Sequence, residues 1–470
     1  MQHRHLLGTD GENMSEYFHS VRVNEENCDG RRKCLRVCPT QAIRTWSGKA
    51  IIIEEKCIDC GECITACPNE AIVALTDPFG ERSRFKYTVA IPSPALYAQF
   101  GRSILPDKIL AGLKKIGFDD AYDLAITCGD TSLAIEQFLE EYSGPKPLIA
   151  NSCPSVISLI QVRYPQLVDY IIPIKLPKRL AAKEIKEQKS KELGLKPEEI
   201  GTFYITPCPV KMIAIKQPPS EEEDYLDGAI SIADIYGPLL SALEREDNVS
   251  YRKSLESVCI LGLGWAVAGG MHRTRGLKNI LDVSGIPEIT ATFDDIERGK
   301  LRNIDLVVPY ACPQGCVGGS LTVENRYISY NKILGLLETL EEENIEACRD
   351  IRDIRERYRQ KYFHRQQQYE PRPLHALDED LGKAIEKREQ KQRIYDSLPK
   401  IDCGICGAPT CLAFAEDVVR GDLRLSDCIF NVPSRFKELT GELSTLMDTF
   451  ASMREDKGRK PKKERRKKKL

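Results

Sequence analysis

The residues best suited to chemistry are cysteines set among glycines and prolines. Two of them lie four residues apart in Tyr310-Ala311-Cys312-Pro313-Gln314-Gly315-Cys316-Val317-Gly318-Gly319. Two single cysteines upstream have similar settings, in Asn151-Ser152-Cys153-Pro154 and Thr206-Pro207-Cys208-Pro209-Val210-Lys211. Four thiolates are the number that holds a [4Fe-4S] cube. The alternative is one Cys-x-x-x-Cys pair together with two unrelated core cysteines.

A second set of cysteines forms an internal repeat with an offset of 29 residues. Cys28, Cys34 and Cys38 correspond to Cys57, Cys63 and Cys67, and both copies end in Pro-x-x-Ala-Ile. The second copy, Cys57-x-x-Cys60-x-x-Cys63-x-x-x-Cys67-Pro68, is a complete bacterial ferredoxin signature. This spacing favours an iron–sulfur site over a zinc site.

The first copy of this repeat lacks one ligand. In two-cluster ferredoxins the fourth cysteine of each run serves the other cluster, so one cube is expected on Cys57, Cys60, Cys63 and Cys38. The other site then has Cys28, Cys34 and Cys67, with Arg31 at the position that matches Cys60. A guanidinium has no lone pair for a metal. The residues leave open a [3Fe-4S] cluster, a cube completed by Asp29 or water, or an empty site, and Arg31 could instead stabilise the negative charge of the site.

A third cysteine array lies near the C-terminus. Cys403, Cys406, Cys411 and Cys428 are spaced as Cys-x-x-Cys-x-x-x-x-Cys with a distant fourth cysteine. This array resembles a small [4Fe-4S] module found in anaerobic redox proteins, in which Gly404 and Gly407 would let backbone amides face the sulfurs. A zinc knuckle is the alternative, since zinc also accepts four thiolates.

Strands and helices must bring these cysteines together. The apolar runs Leu148–Ala150, Phe203–Ile205 and Ile304–Val308 each precede a cysteine loop and predict buried strands. The loops would therefore lie at the carboxyl ends of strands, where open α/β sheets bind ligands. Tyr87–Ile91 predicts a further strand, and Ile104–Ile116 a helix that ends at Gly117. Lys175–Lys196 predicts a charged helix on the surface.

Composition limits the class of protein. The chain has 470 residues, enough for two to four domains, and its 18 cysteines in close-spaced arrays indicate metal ligation rather than disulfides. Cys128, Cys259 and Cys348 lie outside the arrays and are expected to pack in the core. We expect a cytoplasmic protein with no membrane span. A basic tail from Arg459 is expected to be solvated and without specific nucleic-acid recognition.

The three loops around Cys153, Cys208 and Cys312–Cys316 resemble, in order, the three signatures of the [FeFe]-hydrogenase catalytic domain. The resemblance covers about Phe85 to Ile333. It implies an H-cluster, in which a cube on Cys153, Cys208, Cys312 and Cys316 is joined to a two-iron unit carrying CO and cyanide. It also implies that Cys316 bridges to the two-iron unit and that Lys211 hydrogen-bonds a cyanide ligand.

The sequence departs from the catalytic members of that family at its proton relay. Ser152 stands where they have a cysteine that relays protons, and a hydroxyl is a poorer relay than a thiol at neutral pH. Tyr310 stands at a usual methionine and Ala214 at a usual glutamate. In one alignment Gln137 and Glu140 stand at the positions of a pair of relay glutamates, so that one of the two is lost, and a surface helix is an equal interpretation of Glu140.

These departures are similar to those of the sensory-type [FeFe]-hydrogenases. The resemblance predicts a slow, reversible conversion of H2 into protons and electrons, with Ser152, Lys211 and Cys316 at the reaction site and a redox or signalling protein as partner. The alternative is an electron-transfer or cluster-assembly protein without the two-iron unit, as in the nuclear prelamin A recognition factor family.

The expected fold class is a multidomain α/β protein. We expect a disordered lead-in at 1–20, a ferredoxin-like α+β domain at 21–80 and a two-lobed α/β H-cluster domain at 85–335. A charged helical connector at 336–395 is expected next. A small α-helical [4Fe-4S] module at 396–435 and a helix with a basic tail at 436–470 complete the prediction.

Overall fold

The computed structural model describes residues 18–217, 225–243, 259–271, 279–342, 350–372, 376–431, 440–441 and 443–447. The described chain forms two compact units, a larger one with residues 18–43 and 47–372 and a smaller one with Arg44–Trp46 and the residues from 376 onward. The expectations for residues 1–17, for Cys348 and for the basic tail lie outside the described residues. No helix among the described ranges is long and apolar enough to cross a membrane.

The N-terminal part repeats one short helix within each cysteine run. Its strands are β1 (Val21–Val23), β2 (Ile43–Trp46), β3 (Lys49–Ile52) and β4 (Ile72–Ala74), and its helices are α1 (Lys33–Val37) and α2 (Glu62–Ala66). β1 and β4 pair antiparallel, with Val21 opposite Ala74. A small core of Val21, Leu35, Ile43 and Ile72 lies between the cysteines. This arrangement confirms the ferredoxin-like α+β prediction.

Two parallel sheets form the two lobes of the larger unit. The first has the order β6 (Asp120–Ala121), β5 (Tyr87–Pro92), β8 (Ile200–Thr206) and β9 (Gly228–Ser231). The second has the order β10 (Ile280–Ser284), β11 (Leu306–Tyr310) and β7 (Leu148–Ile149). β8 and β11 are buried along their whole length, as expected for strands covered on both faces. The two-lobed α/β prediction is confirmed.

Helices cover the two sheets and connect their strands. They are α3 (Pro106–Lys115), α4 (Leu124–Glu141), α5 (Pro154–Arg163), α6 (Pro177–Leu193), α7 (Val210–Lys216), α8 (Ile232–Leu243), α9 (Ile260–Leu263), α10 (Ile286–Glu297) and α11 (Arg326–Glu342). The predicted helix Ile104–Ile116 is α3, and Gly117 ends it with a φ of 115°. α11 continues past the expected domain boundary at residue 335.

The segment after α11 lies along the larger unit. It contains α12 (Ile351–Arg359), whose Ile354 and Tyr358 are buried. Arg372 then donates its backbone amide to the Gln161 carbonyl at 3.0 Å and its guanidinium to the Cys57 carbonyl at 2.6 Å. The charged connector therefore packs on the body through apolar and backbone contacts.

The smaller unit is built on two helices, α13 (Leu381–Ser397) and α14 (Cys411–Arg420). Its core contains Leu398, Ala413, Phe414 and Leu423. Arg44 and Asp417 form a buried ion pair in this unit, with Nε to Oδ2 at 2.6 Å and a second contact to Oδ1 at 3.0 Å. The Thr45 amide also donates to the Gly407 carbonyl at 2.9 Å.

Candidate metal centres

The first candidate centre lies at the carboxyl ends of strands from both lobes. Cys153 follows β7 and is the N-cap of α5, and Cys208 lies between β8 and α7. Cys312 and Cys316 lie in the loop after β11. Gly315 has a φ of 93°, and a Cβ there would come within 2.6 Å of the Ala268 amide nitrogen. Only glycine can make this turn against the neighbouring backbone.

The four thiols of this centre are close enough to affect one another. Burial is the main cause that raises the pKa of Cys153 to about 11, and Cys316 and Cys208 contribute in the same direction. Burial also raises the pKa of Cys312 well above its usual value, and Cys208, Cys153 and Cys316 contribute in the same direction. Buried thiols of this kind become thiolates when a metal binds them. The donor set therefore fits an iron–sulfur cube.

A cavity with cationic walls lies beside Cys316. Among the residues that line it are Ser152, Lys178, Lys211 and Cys316. Lys211 Nζ lies 3.7 Å from Cys316 Sγ. Burial opposes the charge of Lys211, but the Cys316 thiolate and Tyr204 outweigh it and raise the pKa of Lys211 well above its usual value. Lys211 therefore stays an ammonium and can bind an anionic group in the cavity.

Several buried polar atoms around this cavity lack hydrogen-bond partners. They are Ser152 Oγ and Lys178 Nζ, which line the cavity, and the Tyr310 hydroxyl, whose pKa is raised by burial and by Cys316. An unpaired buried polar group is costly, so such atoms indicate a ligand that the protein chain alone does not supply. The arrangement fits a two-iron unit with cyanide ligands, because these ligands accept hydrogen bonds.

Lys178 is a residue that the sequence interpretation missed. The segment Lys175–Lys196 was expected to be a charged surface helix, but in α6 Lys178, Arg179 and Lys186 are buried. The expectation was wrong for the first half of the helix. The signal was present in Leu180, Ala181, Ala182 and Ile185, because this apolar run shows that the first turns of α6 face the core.

The expected relay residues on α4 lie away from the cavity. Glu140 is exposed, and Gln137 donates its side-chain amide to Glu141 at 2.7 Å. Cys128 is buried in the core, as expected. Cys259 is also buried in the core, as expected, and is disulfide-bonded.

The cysteines of the N-terminal part affect one another mainly within two sets, and Cys34 of one set also raises the pKa of Cys63 in the other. Burial raises the pKa of Cys60 well above its usual value, and the thiolates of Cys63, Cys38 and Cys57 raise it further. In the second group, burial raises the pKa of Cys34 to about 11, with smaller contributions from Cys28 and Cys67. Ligand exchange between the two runs therefore stays a prediction for these cysteines.

Arg31 and Asp29 occupy the place of the missing ligand. Arg31 Nε lies 2.6 Å from Asp29 Oδ2, and Asn69 and Arg31 both lower the pKa of Asp29. One Asp29 oxygen is thus already paired with a cation. The second group has three thiols and no cysteine at the fourth position.

His19 and Ser20 were assigned to the lead-in, yet they support the first group. Both are buried, His19 Nδ1 lies 2.8 Å from Asp59 Oδ2, and the Ser20 amide donates to Asp59 Oδ1 at 2.8 Å. His19, Cys57 and Asp59 also have potential ligand atoms within 4.8 Å of one another. Because His19 and Asp59 already hydrogen-bond each other, we interpret the set as structural.

The third centre lies in the smaller unit. Cys403, Cys406, Cys411 and Cys428 line one cavity, and burial, then the thiolates of Cys428 and Cys403, raise the pKa of Cys406. Asp402 accepts from the Cys411 amide at 2.6 Å, which holds the third cysteine at the start of α14. Four thiols that line one cavity fit a metal cluster.

Three family models match segments of the chain. Residues 86–274 match the iron only hydrogenase large subunit, C-terminal domain, residues 398–430 match an Fe-S cluster family, and residues 26–77 match the LdpA Fe-S cluster-binding domain. These matches contain Cys153 and Cys208, the four cysteines of the smaller unit and the N-terminal cysteines.

Two curated proteins are similar over part of the chain. Iron hydrogenase 1 of Clostridium pasteurianum is 25% identical over 241 residues, which are 47% of this chain and 40% of the hydrogenase. A cytosolic Fe-S cluster assembly factor of Xenopus tropicalis is 23% identical over 147 residues, or 30% of this chain and 31% of that protein. The chain thus spans less than half the length of either relative.

A solved structure and a short segment complete the comparisons. An apo [FeFe]-hydrogenase from Chlamydomonas reinhardtii has 17% identity and a TM-score of 0.46, with 63% of this chain and 97% of that chain covered. The corrinoid/iron-sulfur protein large subunit of Moorella thermoacetica is 54% identical over 35 residues, or 7% of this chain and 8% of that protein.

Proposed function

We propose, on the premise that residues 86–274 belong to the iron-only hydrogenase large-subunit family, that this chain is an [FeFe]-hydrogenase-type oxidoreductase. It interconverts H2 with protons and electrons at a low rate suited to sensing. The observation that carries the proposal is the cavity beside Cys316, which is lined by Lys211 and Lys178. A cube alone would not account for an ammonium and unpaired hydrogen-bond donors next to this one cysteine ligand.

Each residue of the centre has a defined role in this proposal. Cys153, Cys208, Cys312 and Cys316 would hold the cube, and Cys316 would also hold the two-iron unit. Lys211 donates to a cyanide ligand, since its ammonium is fixed next to Cys316. The two-iron unit, when bound, supplies the heterolytic cleavage of H2, and the protein supplies ligation, hydrogen bonds and a dry cavity.

Electrons are proposed to pass between the cube and the N-terminal clusters. The loop after Cys60 packs against the cube loops, because a Cβ on Gly61 would clash with the Ser320 hydroxyl and lie 3.3 Å from Pro209 Cδ. Glu62, the first residue of α2, is close enough to raise the pKa of Cys312, although burial and the other thiolates raise it more. The cluster on Cys60 is therefore the proposed neighbour of the cube in electron transfer.

Slow turnover follows from the residues at the relay positions. Ser152 has a hydroxyl in place of a thiol, and a group with so high a pKa exchanges protons poorly at neutral pH. Glu140 is exposed and takes no part in the lining of the cavity. A redox or signalling protein is the proposed partner, and a reducing cytoplasm is the proposed compartment.

The second candidate function is an iron–sulfur protein that carries cubes alone. Ser152 and Tyr310 favour it, since neither is suited to hydrogen chemistry, and so does the similarity to a cytosolic Fe-S cluster assembly factor. In that case the chain transfers electrons or takes part in cluster assembly, and the cavity beside Cys316 holds no two-iron unit.

Infrared spectroscopy of the anaerobically matured chain distinguishes the two functions. CO and cyanide stretching bands are expected in the wild-type chain. They should disappear in Cys316→Ser, which removes the proposed bridge, and remain in Cys128→Ser, which changes another cysteine of the same cavity wall. A matured wild-type chain with full iron content in its cubes and no such bands would establish the second function.

A further inference from the structure

We propose that Lys178 is a second cationic anchor for the small anionic group that binds in the cavity beside Cys316. The inference rests on the proposed function, in which this group is the cyanide-bearing two-iron unit. Lys211 is the first anchor, and Lys178 adds a second ammonium from a different helix, α6.

The position of Lys178 indicates a missing partner. The residue is 4% exposed, and its Nζ has no hydrogen-bond partner. It lines the cavity together with Lys211 and Cys316. Its Nζ lies 5.3 Å from the centre of the Tyr204 ring, and Lys211 Nζ lies 5.5 Å from the same point. Two ammonium groups thus flank one aromatic ring at the cavity wall.

The other buried lysines of the described chain all have acceptors. Lys186, on the same helix as Lys178, lies 2.9 Å from Asp227. Lys332 donates to the Phe100, Gly101 and Ile104 carbonyls, and Lys211 faces Cys316. Charged groups are seldom buried without a partner, because desolvation is costly. Among these four lysines only Lys178 has no acceptor, and an anion in the cavity would supply one.

The charges near Lys178 also favour an anionic ligand. Burial, and then the cations Lys211 and Arg179, lower its pKa well below the usual value, and a bound anion would oppose this shift and favour the ammonium. Ser152 Oγ adds a third polar atom without a partner. The cavity has a volume of about 50 Å³, which gives room for a small ligand such as cyanide.

The first test compares the stability of two variants of the full chain, with the cubes assembled and the two-iron unit absent. Lys178→Met replaces an unpaired ammonium with an apolar side chain and should raise the melting temperature. Lys186→Met, the matched control on α6, leaves Asp227 without its partner and should lower it. A lower melting temperature in Lys178→Met would contradict the inference, because it would show that the ammonium is satisfied within the protein.

The second test measures anion binding to the same cube-loaded protein, with azide as the probe and its infrared stretch as the signal. Lys178→Met should weaken azide binding about tenfold or more, because one charged hydrogen bond is lost. Lys186→Met should bind as the wild-type chain does. Equal affinity in Lys178→Met, or no azide binding to the wild-type chain, would overturn the inference.

The third test adds a synthetic two-iron complex with cyanide and CO ligands. If the wild-type chain takes it up, a cyanide band should move in Lys178→Met, and unchanged cyanide bands would overturn the inference while the proposed function stands. If the wild-type chain takes up no complex but binds azide through Lys178, the proposed function fails and the anion site remains.

Discussion

The buried ion pair between Arg44 and Asp417 is expected to be a main determinant of the stability of the smaller unit. The two side chains are 5% and 4% exposed, and the guanidinium makes two contacts with the carboxylate, at 2.6 and 3.0 Å. We consider the replacement of each partner alone, Arg44→Met and Asp417→Leu, and of both together.

Either single replacement leaves a charge without its partner in a site that excludes water. Breaking a buried pair in this way costs about 3–5 kcal/mol, whereas replacing both partners with apolar side chains is often neutral. We therefore expect each single variant to lose about 3 kcal/mol or more of the free energy of unfolding. The double variant should recover most of that loss, which gives a large coupling energy in a double-mutant cycle.

Urea unfolding of the cluster-loaded chain measures these effects, with the absorbance of the cluster on Cys403, Cys406, Cys411 and Cys428 as the signal. Lys400→Met is the control, because Lys400 pairs with Asp396 on the exposed surface of the same unit and should change stability by less than about 1 kcal/mol. The single variants could lose no more of the free energy of unfolding than this control, or the double variant could lose as much as the two single variants together. Either result would show that the Arg44–Asp417 pair does not stabilise the unit as described.

Three further predictions concern the metal centres. Ser152→Cys should raise H2 evolution by matured protein up to about 100-fold by restoring a thiol relay, and an unchanged rate would show that Ser152 does not limit turnover. Arg31→Cys should supply the fourth thiol next to Asp29 and add about one iron per chain by metal analysis, while the exposed control Lys33→Cys adds none. Gly315→Ala should lose about four irons per chain, because its φ is 93° and its Cβ would lie 2.6 Å from a backbone nitrogen. Gly299→Ala, which is also at positive φ but has no atom closer than 3.5 Å, should keep its iron content.

Local patterns were sufficient to predict the strands that carry the cysteines. The runs Leu148–Ala150 and Phe203–Ile205 predicted strands that the structure places at Leu148–Ile149 and Ile200–Thr206. A short apolar run next to a Pro-Cys or Cys-Pro turn has few structural alternatives to a strand, because it lacks the periodicity of a helix and the turn fixes where it ends. The predicted strand Ile304–Val308 is shifted by two residues, to Leu306–Tyr310.

Contacts between distant residues could not be predicted in this way. Arg44 and Asp417 are 373 residues apart, and each is unremarkable within its own segment. Lys178 was assigned to the surface because α6 has a high average charge, although the apolar residues of its first turns indicated burial. The convergence of the four thiols around Cys316 stays a prediction, made because the carboxyl ends of parallel strands are a common place for ligands.

Cys208 comes from the sheet of β5 and β8, whereas Cys153, Cys312 and Cys316 come from the sheet of β7 and β11. A cube on these four sulfurs is therefore a covalent cross-link between the two lobes. Removing its iron would free the lobes to separate at this point, and rebuilding it would require both lobes to be folded first. Iron supply and the rigidity of this domain are thereby coupled, so that chelation should weaken contacts far from the metal itself.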